Sequence, residues 1–339
     1  MEFVCDIDGL ERVVGTRLLP ALLKSIGVVD EHVAVLLARS PIAIVGYEDA
    51  DGTRRADAVG GSPGFTVVEA PDRIRLPMPA DAAPGGPVST MYLIPGWREA
   101  LRINGHLDPS DPAVVVIGEA FVHCGKAVLR SDLWGGPGPA PRASQEGAAP
   151  LGPEVRSFLA ASRFLVMTSQ DAEGAADASP KGDPAGFVQV LDDRTLAVPD
   201  RRGNRRTDTF HNLVERPSVS ILALVPSDDR VLELRGSARI TDDEALRAGM
   251  AVRGKVPHAA LVLDVEAAAL RTSPALGAAR LWDPSTYVDV DDLPTAGRIW
   301  TDHIKANETS GLKAAAIRLA ANGRAVQAGT EIEYQRSLY

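Results

Sequence analysis

The chain repeats itself. Shifted by 122 residues, it lays Ser40 on Ser162, Gly52 on Gly174, Phe65 on Phe187 and Pro77 on Pro199 without a gap. The segments SPIAIVGYEDADG and SRFLVMTSQDAEG are each an apolar run of strand length ending in an acidic glycine turn, which marks a hairpin. At a shift of 131, MYLIPGWREALRING overlies LALVPSDDRVLELRG, with Pro95 on Pro226 and Gly105 on Gly236. At 148 a third block ends at Trp134 in one copy and at Trp282 in the other. Three collinear blocks mean that whatever this chain builds, it builds twice. Its 339 residues, against roughly 100–200 per domain, leave room for two units. They are expected at 1–134 and 153–339, joined by a Gly/Pro/Ala-rich linker over 135–152 whose composition cannot pack a core. Each copy reads as five or six short strands separated by turn residues, with helices near Leu10–Lys24, Pro294–Lys305 and Ser310–Asn322. The fold class expected is mainly β with flanking helices (α+β), each unit a small antiparallel barrel. The regular strand-helix alternation of a parallel sheet is missing.

With 45% hydrophobic and 24% charged residues, the chain can fill an ordinary core. Thirty-six basic against 45 acidic side chains leave a net charge of -9, so neither nucleic acid nor an anionic membrane is an expected partner. Any basic site must be local. Two cysteines, Cys5 and Cys124, stand far apart without ligand spacing, so no disulfide framework and no metal site is expected. The N-terminus has no signal-type apolar region, and no run approaches the roughly 18–20 apolar residues of a membrane span. A cytoplasmic location is the expectation.

The two copies differ where chemistry would lie. From Asp177 to Phe187 the second copy reads DASPKGDPAGF, and DAVGGSPGF, which lies opposite its last nine residues, has lost the lysine and the aspartate. After Pro199 it places Arg201, Arg202, Arg205 and Arg206 around Gly203 and Asn204, where the first copy is shorter by 131 minus 122, or nine, residues and carries no base. Four guanidinium groups and a Gly-Asn turn suit a phosphate, through bidentate charged hydrogen bonds and backbone N–H groups. The plainer reading is a solvated basic loop paired with acidic surface. The third block is asymmetric the other way: His123, Cys124, Lys126 and Arg130 give way to Arg271, Thr272, Pro274 and Ala278. His123 and Lys126 would share a face if this segment were helical; the plain reading of His123 is a hydrogen-bonded core residue, and of Cys124 packing. His211, His258 and His303 show no metal-ligand spacing.

SPKGDPAGFV, TLAVPDRRGNRRTDTFHNLVERPSV and EAFVHCGKAVLRSDLW together resemble the pyridoxamine 5'-phosphate oxidase-like FMN-binding split-barrel proteins, in their bacterial branch of unassigned flavoproteins. The resemblance runs over nearly the whole chain, twice. It implies Greek-key split barrels paired about a two-fold axis, with FMN in the groove between them. In a tandem chain this becomes an intramolecular pseudo-dimer. One groove would then combine Ser179, Pro180, Lys181, Arg201, Asn204, Arg205 and Arg206 of the second copy with His123, Lys126 and Arg130 of the first as cofactor contacts, and the opposite groove would be vestigial. Asp183 is as well placed for a turn or ion pair as for the cofactor, and Trp134 or Trp282 would cover a flavin edge or fill the barrel core.

The resemblance implies an FMN-dependent oxidoreductase transferring hydride at flavin N5 to or from a small-molecule substrate, with NAD(P)H or a reductase as electron donor. His123 and Lys181 are the candidates for direct chemistry beside the flavin. The alternative is a non-catalytic split barrel binding flavin, a deazaflavin or haem, with His123 as first candidate axial ligand; a colourless interaction protein is a third reading. Either a monomeric pseudo-dimer or a homodimer satisfies the resemblance.

Overall fold

The two copies close their first hairpin with the same device. Asp49 Oδ1 accepts from the amides of Asp51 (3.1 Å) and Thr53 (2.9 Å), and Asp171 Oδ1 from that of Ala175 (2.7 Å). Gly52 and Gly174 follow in the left-handed region, φ 77° and 88°. The computed structural model describes residues 1–138, 150–203, 206–307, 310–336 and 338–339. Most of the expected linker, together with Asn204 and Arg205, thus lies outside the described residues.

In the first copy the strands are β1 (Ile42–Glu48), β2 (Arg54–Gly60), β3 (Val67–Ala70), β4 (Arg73–Arg75), β5 (Pro87–Leu93), β6 (Ala100–Asp108) and β7 (Asp111–His123). In the second they are β8 (Phe164–Gln170), β9 (Ala176–Gly182), β10 (Gln189–Val190), β11 (Thr195–Asp200), β12 (Ser218–Leu224), β13 (Arg230–Thr241) and β14 (Ala259–Thr272). The first sheet runs β2-β1-β5-β6-β7-β4-β3 and the second β9-β8-β12-β13-β14-β11-β10, the same order strand for strand and antiparallel throughout. Greek-key crossovers bring β1 beside β5 and β7 beside β4. Among the described residues each copy thus has seven strands rather than five or six, because β4 and β10 are too short to show alternation.

The repeated glycines have one physical cause. β6 and β7 shift register at Asn104/Gly105, and β13 and β14 at Arg235/Gly236. A Cβ on Gly105 would sit 1.9 Å from the Val116 carbonyl oxygen, and one on Gly236 2.0 Å from that of Asp264. Only glycine fits a bulge that close.

Each sheet has its own core, one around Tyr92, Leu101, Ile103 and Val122, the other around Phe158, Leu196, Ile221 and Leu263. A third lies between the copies, joining Ile44 and Met91 to Phe164, Val166 and Leu222. Equivalent residues meet there. A Cβ on Gly46 would lie 2.5 Å from Cβ of Thr168, its own counterpart. The rings of Trp134 and Trp282 pack 6.1 Å apart. These self-contacts place a pseudo-two-fold axis between the barrels, and they correct one expectation: the two tryptophans serve the interface between copies, with Trp134 Nε1 donating to the Trp97 carbonyl at 2.7 Å.

The ends of the chain cross over. Val4 bridges Ile240 and Leu10 enters the second core, whereas Ala296, Ile299 and Trp300 of the helix Ala296–Ala306 enter the first. The helix expected over Leu10–Lys24 is two, Ile7–Val14 and Leu19–Leu23. Gly15, at φ 82°, ends the former by donating to the Glu11 carbonyl. Beyond Ala296–Ala306 come Leu312–Ala320 and a further helix, Gly323–Arg336, absent from the sequence reading.

Candidate functional site

A groove opens where β9, the edge strand of the second sheet, packs against the turn after β7. Gly182 makes the approach: a Cβ there would stand 2.1 Å from the Ala127 carbonyl oxygen. The SPKGD strand and the helix Lys126–Ser131 are therefore in direct contact. The cavity between them measures about 380 Å³, within the roughly 300–1,000 Å³ of ligand pockets. Ser179, Pro180, Lys181, Arg201 and Arg206 line it from the second copy, and His123, Lys126 and Arg130 from the first. The described residues expected in the groove are thus brought together, while Asn204 and Arg205 fall outside the description.

Their partners differ from a set of open phosphate ligands. Arg201 gives Nε to Asp183 (2.6 Å), Nη2 to the Met250 carbonyl (2.7 Å) and Nη1 to that of Lys255 (3.2 Å). Arg206 holds Asp208 (2.7 Å), Ser25 Oγ (2.6 Å) and Glu119 (2.6 Å). Lys181 reaches Asp200 at 3.1 Å and lies over the Phe210 ring. Arg130 donates to the carbonyls of Gly182 (3.0 Å), Arg202 (3.3 Å) and Leu338 (2.9 Å). Lys126 pairs with Glu333 of the helix Gly323–Arg336 at 2.6 Å.

His123 ends β7 and Lys126 begins the next helix, so the shared helical face is not formed. A carbonyl only accepts, so His123 Nδ1, 3.2 Å from the Cys124 oxygen, carries the ring proton. Nε2 is left as a lone pair with no hydrogen-bond partner among the described residues. Burial, reinforced by the positive Arg102 and Lys24, pushes the imidazole well below its ordinary pKa. His123 is therefore neutral at pH 7.

Sequence reasoning missed the charge network at the floor. Arg102, 2% exposed, bonds Asp177, Glu119 (2.9 Å) and Asp208 (2.8 Å) and lies 4.3 Å over the Phe121 ring, with Arg206 at 4.2 Å from the same ring. Burial raises the Asp177 carboxyl above its usual range against the pull of Arg102. At Asp208 burial acts upward too, but Arg102 and Arg206 prevail and hold it at about 2. The signal was present in the repeat. Arg102 aligns with Glu233, and Asp177 with Arg55. Across the opposite groove Arg55 bonds Glu233 at 3.0 and 3.1 Å. One ion pair between the copies is therefore made twice with its signs exchanged. Arg271 pairs with Asp57 at 2.9 Å on that second side, at the counterparts of His123 and Ser179.

Among the described residues the retained groove is lined by seven Lys or Arg against four Asp side chains, in a chain of net charge -9. Among the described residues no three His, Cys, Asp or Glu cluster as metal ligands, and no helix is long and apolar enough to cross a membrane.

Residues 151–273 match the family model described as Pyridoxamine 5'-phosphate oxidase. Over those residues the second unit thus resembles a pyridoxamine 5'-phosphate oxidase-like split barrel, and the first unit repeats its strand order, so the chain carries the same antiparallel fold twice in tandem. No curated protein matches the chain. Solved structures similar to part of it include HupZ of Group A Streptococcus, at 20% identity over 33% of this chain and 86% of that one, TM-score 0.28. Another is a protein of the pyridoxinephosphate oxidase family from Clostridium acetobutylicum, related to general stress protein 26, at 13% over 35% and 86%, TM-score 0.28. A third is HutZ, described as the heme storage protein from Vibrio cholerae, at 17% over 36% and 94%, TM-score 0.26.

Proposed function

We propose that this chain is an FMN-dependent oxidoreductase acting on a small molecule, with one composite cofactor site between its barrels. The observation that carries the reading is the groove itself, in which the segments each copy alone retained meet in one cavity. The donor set fits an anionic cofactor: among the described residues seven Lys or Arg line the groove against four Asp, and with Glu119 and Glu333 paired to Arg206 and Lys126 the cations still outnumber the acids. Lys181, Arg130 and the Arg201–Arg206 segment are the residues to hold it. When bound, FMN supplies hydride transfer. The chain's own part is to bind, orient and keep the groove dry. Lys181, on a strand fixed by the Gly182 contact, offers an ammonium for negative charge developing nearby. His123, neutral, offers an acceptor at Nε2.

His123 favours a second reading, because a neutral imidazole with a free Nε2 is also a haem ligand. The absorbance spectrum and cofactor-to-chain ratio of purified protein, with FMN titration of the apoprotein, separate the two. About one FMN per chain, weakened in Lys181→Met and Arg130→Met, is the expected result. A ratio near two would overturn the single site. No FMN uptake, or a Soret band lost in His123→Ala, would overturn the cofactor.

A further inference from the structure

Behind the Cys124–Lys126 turn lies a second cavity of about 480 Å³. It shares Cys124, Lys126 and Gly203 with the groove and is otherwise separate from it. Leu18, Pro20 and Ala21 form one wall, Trp300 and Ile304 a second, and Val326 and Tyr334 a third. These come from the crossed-over ends of the chain, so neither copy alone contains the chamber. Among the described residues its charged lining is Lys24 and the mutually paired Lys126 and Glu333.

Lys24 is the anomaly. The residue is 6% exposed, and its ammonium lies 4.7 Å from the Trp300 ring centroid and 5.6 Å from that of Phe121. Unlike Lys126 and Lys181, it has neither a hydrogen-bond acceptor nor an ion-pair partner among the described residues. Ring faces compensate a desolvated cation only in part, and an unpaired buried charge is strongly unfavourable. A ligand carrying one negative charge would remove that penalty. A phosphate dianion would not, because one lysine leaves its second charge uncompensated between apolar walls; phosphate chemistry belongs to the groove. The indole face and the aliphatic walls suit a planar or branched apolar body.

We propose that this chamber binds a small organic monocarboxylic acid, its carboxylate taken by Lys24 and its apolar body held against Trp300, Ile304 and Leu18. That the acid is the substrate of the neighbouring groove rests on the flavin reading; its binding does not. Burial lowers Lys24 to about 8, Cys124 and Asp208 acting upward and Arg206 and Arg102 downward, so the amine is mostly protonated at pH 7.

Benzoate is the probe, with benzyl alcohol as its neutral counterpart, titrated calorimetrically into the full chain at pH 7. Benzoate should bind once per chain and more tightly than the alcohol. Lys24→Met and Lys24→Gln should each weaken it by about tenfold or more, the effect of losing a charged hydrogen bond. Lys181→Met, in the groove, should leave it unchanged. No benzoate binding, equal binding by the Lys24 variants, or loss in Lys181→Met would overturn the proposal. The flavin content of the same samples is read by absorbance. A colourless protein that binds benzoate through Lys24 sinks the flavin reading and keeps the chamber; a yellow protein indifferent to Lys24 does the reverse.

Discussion

Replacing Arg102 by Met tests whether the two barrels are locked by the charge network at the groove floor. The guanidinium is 2% exposed, as is Asp177. Removing it does not affect its three acids equally. Glu119 keeps Arg206, Ser25 and Asn104, and Asp208 keeps Arg206. Asp177 keeps only the Thr209 hydroxyl among the described side chains. The loss therefore falls on one buried carboxylate without a cation, which costs about 3–5 kcal/mol. At about 2–4 °C per kcal/mol for units of this size, Tm should drop by roughly 10 °C. The effect has a pH signature. Burial already holds Asp177 high, and without Arg102 it rises further. A carboxyl raised in the folded state contributes stability below its unfolded pKa and loses it as pH rises through the folded one. The gap between wild type and Arg102→Met should thus be full at about pH 8 and shrink on acidification, as Asp177 takes its proton. Urea unfolding at several pH values measures this. Adding Asp177→Asn should recover most of the loss, because no unpaired charge then remains buried. A deficit below about 1 kcal/mol, or one independent of pH, would refute the reasoning.

Gly105→Ala and Gly236→Ala should each destabilise by about 1–3 kcal/mol or more in urea unfolding, because the new Cβ meets a carbonyl oxygen. Gly329→Ala, in the helix Gly323–Arg336 with open space at its Cβ, should instead stabilise by up to about 1 kcal/mol. Lys24→Met should raise thermal stability at pH 7. That gain should fade between pH 8 and pH 10.5, the interval in which wild-type Lys24 is deprotonated when folded but still protonated when unfolded; an unchanged gain across it would refute the buried-cation account.

The duplication alone foretold much of the fold. Equal spacing of turns and glycines forces equal strand order, since a hairpin turn and a bulge are set by residues within a few positions of each other. It also pointed to the groove, because segments retained by opposite copies face each other only if the copies pair about a two-fold axis. Less legible were the weak local signals: the short strands β4 and β10, and the break at Gly15 that divides one expected helix into two.

The partners of the charged residues were not legible at all. An arginine cluster reads the same whether its guanidinium groups face solvent, a ligand or buried acids, and Arg201 and Arg206 face acids and carbonyls brought from distant segments. Arg102 and Asp177 are 75 residues apart in the chain, and Lys24 meets Trp300 across a still longer interval. The sequence by itself determined that one barrel is built twice and which half kept which side of the groove, because those properties rest on short-range pattern. The tertiary structure decided which charges are paired, how the ends cross between the barrels, and that Lys24 is buried without an anion among the described residues, because burial and pairing depend on what long-range packing brings together.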